Sequence, residues 1–143
     1  MRIKLRPLTQ NNYKECFALE VYDEQSHMVA PNVFSVAESK IYPELTPLTI
    51  YSGETMVGFM LYGMNEGEYW LVRLMINKDH QQKGYGKEAL RLLVQLLREQ
   101  GVSSPLYLSY TPDNTVAAAM YEKFGFVRTG EIVDDEIVAK FEL

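Results

Sequence analysis

The run Gln81-Gln82-Lys83-Gly84-Tyr85-Gly86-Lys87 could hold a phosphorylated ligand without any catalytic side chain. Its two glycines let the backbone take up positive φ and approach a bulky group closely. It follows the apolar segment Leu71–Ile76 and precedes a long helical pattern beginning near Lys87. The first turn of such a helix offers four unpaired N–H groups and the positive end of a dipole. Lys83 and Lys87 add cationic charge, which suits a ligand carrying several phosphate oxygens. A plain strand-to-helix turn with solvated lysines would use the same residues. A second constellation is Asn114, Ala117, Ala118 and Tyr121, spaced i, i+3, i+4, i+7 on one helix face. Small side chains there let a long flexible ligand arm lie close, with an amide and a phenol at its two ends. The plainer reading makes Asn114 a helix cap and Tyr121 a packed aromatic.

Spacing separates three phosphate-binding patterns. A Walker loop needs a glycine five residues before its Gly-Lys pair and Ser or Thr after it; those positions hold Gln81 and Glu88, which excludes it. The dinucleotide fingerprint G-x-G-x-x-[GA] is formally matched by Gly84, Gly86 and Ala89. It belongs in a first βαβ unit with a tight turn, whereas a charged connection, Asn77 to Lys83, precedes the first glycine here. No acidic residue closes the next strand near Leu108. The third pattern, [QR]-x-x-G-x-[GA], fits from Gln81 through Gly86.

Elements must position these groups. Ile3, Leu5 and Pro7 alternate with Lys4 and Arg6, a short first strand. Tyr13, Cys16, Phe17 and Glu20 mark a first helix, and the pattern then degrades from Val21 to Asn32. Ser35 is placed to cap a second helix to about Tyr42. Leu48–Tyr51 and Met56–Tyr62 read as strands joined at Ser52-Gly53-Glu54. Tyr69–Ile76, apolar on both faces except Arg73, reads as a central strand, and the three form an antiparallel meander. Leu90, Leu93, Val94 and Leu97 make the clearest helical stripe, stopped by Gly101. Leu106–Tyr110 is a strand reached by a parallel crossover, Asn114 to Phe124 a last helix closed by Gly125, and Phe126–Ile132 and Glu136–Leu143 two terminal strands. The order is β-α-α-β-β-β-α-β-α-β-β, a mixed α/β sheet.

The 143 residues suit one domain, and 47% hydrophobic with 23% charged residues is a globular balance. No apolar run reaches the roughly 18 residues of a membrane span, and Met1 to Arg6 alternates charge instead of opening a signal peptide. A cytoplasmic location is the expectation. One cysteine, Cys16, excludes an internal disulfide, and neither His27 nor His80 has a partner at ligand spacing, so no metal is expected. Cys16 reads as a small buried hydrophobe. The net charge is −5, with 5 Lys/Arg against 9 Asp/Glu in residues 1–70 and 9 against 10 thereafter. An acidic excess in the first half argues against nucleic acid and allows a cationic small substrate.

Gln81 to Gly86 together with Asn114-x6-Tyr121-Glu-Lys-Phe-Gly-Phe126 resembles the GNAT superfamily of N-acetyltransferases over the whole chain. The resemblance implies acetyl-CoA as cosubstrate. Backbone groups of Leu74, Met75 and Ile76 would hold the pantetheine arm and polarise the acetyl carbonyl. Gln81, Gln82, Lys83, Gly84, Tyr85, Gly86 and Lys87 would form the pyrophosphate loop, Asn114 would hydrogen-bond the coenzyme, and Tyr121 would be general acid toward the departing thiolate. The acceptor would be an amine attacking directly. Superfamily members often carry a carboxylate on the central strand where this chain has Trp70 or Val72, so Glu68, of the same strand parity, is the proposed base and Glu20 a second candidate. The stretch Leu19 to Glu38 is similar to bacterial spermidine/spermine N-acetyltransferases, with Glu20, Asp23 and Glu24 placed to attract a polycation. A GNAT acting on a protein or peptide amine or an amine antibiotic, and a non-catalytic coenzyme A sensor, are the alternatives. The terminal strands could pair two copies into a homodimer.

Overall fold

The apolar segment predicted to be central lies in the middle of a seven-stranded sheet. A computed structural model describes residues 2–143, leaving only Met1 of the N-terminal segment outside it. The strands are β1 (Ile3–Pro7), β2 (Leu45–Ser52), β3 (Thr55–Asn65), β4 (Glu68–Ile76), β5 (Leu106–Tyr110), β6 (Val127–Val133) and β7 (Glu136–Phe141). The helices are α1 (Tyr13–Ala18), α2 (Asn32–Ile41), α3 (Tyr85–Glu99) and α4 (Thr115–Phe124), and sheet order is β1-β2-β3-β4-β5-β7-β6. Strands β1 to β4 pair antiparallel, as do β5, β7 and β6; only β4 and β5 are parallel.

That parallel pairing is short. Its register consists of Tyr69↔Leu106 and Trp70↔Tyr107, after which the strands part. The cause lies in β4: Leu61 pairs with Arg73 and Tyr62 with Leu71, leaving Val72 as an extra residue. A bulge of this kind bends and twists its strand, so β4 turns away from β5 and exposes its backbone edge from Leu71 onward. The bulge also shifts side-chain parity. Tyr69 and Leu71 before it, and Leu74 and Ile76 after it, all face the core under α3 and α4, with Leu90, Leu93, Leu97, Leu106, Leu108 and Tyr121. Val72 and Met75 face the opposite core, with Cys16, Phe59 and Leu61.

Both helices of the first half differ from their expected bounds. α1 ends at Ala18, because Leu19 is extended and the Glu20 N–H donates to Asn77 Oδ1 at 2.8 Å while the Glu20 carbonyl accepts from the Lys78 N–H at 2.8 Å. α2 starts at Asn32 behind Pro31, whose φ of −56° and lack of an N–H suit a helix entry. Ser35 is therefore buried inside α2 instead of capping it. Asn32, also buried, donates from Nδ2 to the Cys16 carbonyl at 2.9 Å and so ties α2 to α1. β7 inserts between β5 and β6, so the terminal pair joins the sheet through its second strand. No helix among the described residues is long and apolar enough to cross a membrane.

Candidate active site

The loop before α3 is shaped to hold an anion. Gln82 and Gly84 both take left-handed backbone, with φ of 62° and 82°. Left-handed residues alternating with ordinary ones turn successive N–H groups inward, a nest for anions. Gly84 is the N-cap of α3 and supplies no side-chain cap, so the first-turn donors of a 15-residue helix stay open. Lys83 and Lys87 are exposed beside them. Gly86 needs no unusual backbone: a Cβ there would meet Met120 Sδ at 3.6 Å and Ile76 Cγ1 at 3.8 Å, ordinary contacts. Tyr85 is half-buried, its hydroxyl 3.4 Å from Ser52 Oγ. These features fit a pyrophosphate held by backbone.

Gln81 is used differently from the expectation that it binds coenzyme. Its Nε2 donates to the Ile76 carbonyl at 3.0 Å and to Gln25 Oε1 at 2.9 Å, and its Oε1 accepts from Gln25 Nε2 at 3.1 Å. It braces the loop against β4 and against the segment after α1. Leu74, Met75 and Ile76 lie on the diverging part of β4, where the backbone edge facing β5 is unpaired by that strand.

Across the cleft stands α4. Asn114 caps it, Oδ1 accepting from the Ala117 N–H at 3.3 Å, which leaves the Asn114 amide donors for a ligand. Ala117 and Ala118 are half-buried. Tyr121 is 8% exposed, tilted against Tyr110 at 5.8 Å and edge-on to Phe126 at 5.7 Å. Burial, reinforced by Tyr110, holds its phenol far above the usual tyrosine range, so it stays protonated at any working pH.

The two carboxylates expected as bases, Glu68 and Glu20, are placed otherwise than expected. Glu68 is exposed, opposite Asn65 at the start of β4, beside the Tyr107 hydroxyl. The strands are still paired at Tyr69 and Trp70, so it lies on the closed side of the divergence. Leu71 is three residue steps further on, about 10 Å of strand; Glu68 is not brought to the open cleft as a base. Glu20 already has a cation: Lys78 Nζ is 2.7 Å away, and that hydrogen bond and charge hold the Glu20 carboxyl below its usual range. Asp23 and Glu24 sit exposed in a 3-10 turn, Asp23–Gln25. His27, for which the sequence offers no partner at ligand spacing, reaches Asp113 from the surface with Nε2 2.6 Å from Oδ2, and lowers the Asp113 carboxyl. Residues 20–27 are thus pinned to the end of β4 at Glu20, to the anion loop at Gln25, and to the β5–α4 connection at His27. Arg73, bonded to the Val72 carbonyl at 3.0 Å and to Glu38 Oε1 at 3.1 Å, braces the bulge against α2. Sequence reasoning passed over Gln25, Asp113 and Glu38; the weakly patterned polar stretch after Leu19 was the one signal that side chains there serve something other than a core.

Among curated proteins, the chain is 30% identical over 140 residues, 92% of each chain, to a protein of Bacillus subtilis subsp. natto (strain BEST195) named probable spermine N(1)-acetyltransferase. It is 31% identical over 71 residues to the [Ribosomal protein bS18]-alanine N-acetyltransferase of Escherichia coli (strain K12), covering 50% of this chain and 47% of that one. The fold matches the crystal structure of PaiA N-acetyltransferase from Thermoplasma acidophilum in complex with coenzyme A, with TM-score 0.71, 17% identity and full coverage of both chains. Residues 6–126 match the Acetyltransferase (GNAT) family. The diverging parallel strands, the backbone anion cradle and the matched span agree: the chain belongs to the GNAT family and is an N-acetyltransferase with acetyl-CoA as cosubstrate.

Proposed function

We propose that this enzyme acetylates a primary amine of a small polycation such as spermidine or spermine, by direct attack of the amine on the acyl group. The observation that carries the reading is the pairing of an uncapped α3 N-terminus with the buried phenol of Tyr121 on the same side of a cleft between β4 and β5. Acetyl-CoA supplies the activated acetyl group. Backbone N–H groups of Gln82 to Lys87 hold its pyrophosphate, with Lys83 and Lys87 adding charge. The edge of Leu74 to Ile76 that β5 leaves unpaired, apart from the Ile76 carbonyl held by Gln81, aligns the pantetheine arm and offers backbone donors to the acetyl carbonyl oxygen. Asn114 hydrogen-bonds the arm, and Ala117 and Ala118 give it room. Tyr121 donates to the departing sulfur; a thiol has a pKa of about 8.5 and an ordinary phenol about 10, so the hydrogen bond helps even without full transfer.

For the acceptor, the relative over 92% of the chain is named for spermine, and the segment crossing the cleft mouth carries Asp23 and Glu24. An alkylammonium with a pKa of about 10.4 must lose a proton before attack, and water in the exposed mouth is the route we assign, since Glu20 is paired and Glu68 remote. The half-length likeness to the ribosomal-protein alanine acetyltransferase favours a peptide amine as the second reading. The test is thiol release from acetyl-CoA against spermidine, spermine, putrescine, aminoglycosides, amino acids and peptides ending in alanine or containing lysine. Turnover confined to polyamines supports the proposal; turnover confined to peptides replaces it.

A further inference from the structure

The sheet face away from α3 and α4 carries side chains that no coenzyme contact uses. The anion cradle and Tyr121 lie on the α3/α4 side, so an amine must meet the cleft from the opposite face. Leu106, Leu108, Tyr110 and Ala139 point toward α3 and α4. By alternation Tyr107 and Ser109 of β5, and Glu136 of β7, point to the acceptor side. Trp70 and Tyr107, register partners in the last β4–β5 pair, stack there with centroids 5.4 Å apart and planes at 27°. One step toward the open end, Ser109 Oγ donates to Glu136 Oε1 at 2.8 Å. Glu136 opens β7 just beyond the Tyr110↔Ile137 pair, at the level where β4 has already bent away.

Glu136 is half-buried, yet among the described residues no Lys, Arg or His lies within ion-pair distance of it. The comparably buried side chains of Glu38 and Glu88 each have an arginine. The Ser109 hydroxyl satisfies only one of the lone pairs of this carboxylate, and no protein cation meets the others. The remaining lone pairs, on the face where β4 has parted from β5, are open to an alkylammonium. Glu68, beside Tyr107 at the far side of the stack, offers a second carboxylate for a chain that carries more than one positive charge.

We infer that Glu136, oriented by Ser109 on the acceptor face of β5 and β7, binds an ammonium group of the acceptor and selects polycationic amines over singly charged ones. This rests on the acetyl transfer to a polyamine proposed above. The test is steady-state kinetics for the protein and its Glu136→Gln variant, varying spermidine, or hexylamine as a singly charged comparison, at saturating acetyl-CoA, and separately varying acetyl-CoA at saturating amine. The KM for spermidine is expected to rise about tenfold or more, with kcat and the KM for acetyl-CoA within threefold, and with a smaller effect on hexylamine. Glu136→Asp should recover part of the loss, and Ser109→Ala should raise KM about threefold. A spermidine KM unchanged within twofold in Glu136→Gln overturns the inference. Should the wild type use another amine and not spermidine, the polyamine reading fails by itself, and the same KM comparison with that amine supports or overturns the role of Glu136. Should no amine turn over, spermidine is titrated calorimetrically into the coenzyme A-bound protein. Binding lost in Glu136→Gln supports the inference; equal binding by both, or none by the wild type, overturns it.

Discussion

The half of the molecule from β4 to α4 and the half from β1 to α2 approach recognition by different means. Around the coenzyme cleft the working groups are backbone: an uncapped helix N-terminus, two left-handed residues and a strand edge freed by a bulge. Around the mouth they are side chains held by other side chains: Glu20 by Lys78, Gln25 by Gln81, His27 by Asp113. Backbone donors are pre-organised by the fold and indifferent to most substitutions that keep its φ and ψ. Side-chain networks are open to change one residue at a time. The coenzyme cleft therefore suits a ligand that never varies, and the mouth a ligand that does.

The sharpest way to break this contrast is to strain the backbone of the cradle while leaving its side chains alone. Gly84→Val puts a β-branched residue at φ 82°, where a Cβ costs at least about 1–2 kcal/mol and pushes the turn toward another geometry. Acetyl-CoA binding, read by calorimetry, should weaken more than a hundredfold. Gly86→Ala should stay within about threefold, because its Cβ meets only ordinary contacts with Met120 and Ile76. Equal losses in the two variants would mean that the nest is not the anion site. Next in size is Tyr121→Phe, which removes a proton donor and little volume: kcat should fall tenfold or more with acetyl-CoA affinity within twofold. Retained turnover would take the acid role away from Tyr121.

Legibility in the sequence follows the same division. Gly84 before the Leu90–Leu97 stripe was readable because left-handed backbone and helical period leave strong marks on residue type, whereas the left-handed Gln82 and the ordinary backbone of Gly86 run against the two-glycine reading. The central position of β4 was readable from its apolar run. The bulge at Val72 was not, since neither Gly nor Pro marks it, and it is set by how β3 and β4 pair across many residues. Parity correctly put Glu68 on the face of Trp70, but parity alone does not tell how far along a strand its neighbour stays paired. Glu136 was hidden for another reason: β7 inserts between β5 and β6, an order that local pattern does not encode, and only that order brings it to Ser109.

The pins at the mouth should give smaller effects, graded by what each ties down. Gln25→Ala frees Gln81 from one partner and should raise the KM for the amine about threefold, with acetyl-CoA affinity falling by about twofold because Gln81 also braces the loop at Ile76. Glu20→Gln should change amine KM by less than twofold, since its exposed carboxylate already faces Lys78. A tenfold rise in that variant would return Glu20 to the acceptor site.

The frame beneath the pins offers the mildest test. Cys16, fully buried where α1 meets α2, has its thiol pushed from 9.0 up to about 11, chiefly by burial, with Glu15 adding to the rise and the hydrogen bond from Asn32 opposing it. Between those values an unfolded chain gives up the thiol proton while the folded one keeps it, so the folded state binds more protons. Stability from this group is fully present below pH 9 and is lost as pH rises toward 11. The buried phenol of Tyr121 contributes with the same sign at still higher pH, so the comparison must be between proteins and not between pH values alone. Cys16→Ala should be less stable than the wild type at neutral pH, through the lost sulfur packing, and its melting temperature should fall less steeply from pH 9 to 11. Parallel curves for the two proteins would show that the thiol ionises without unfolding, and that the α1–α2 frame is looser than its packing indicates.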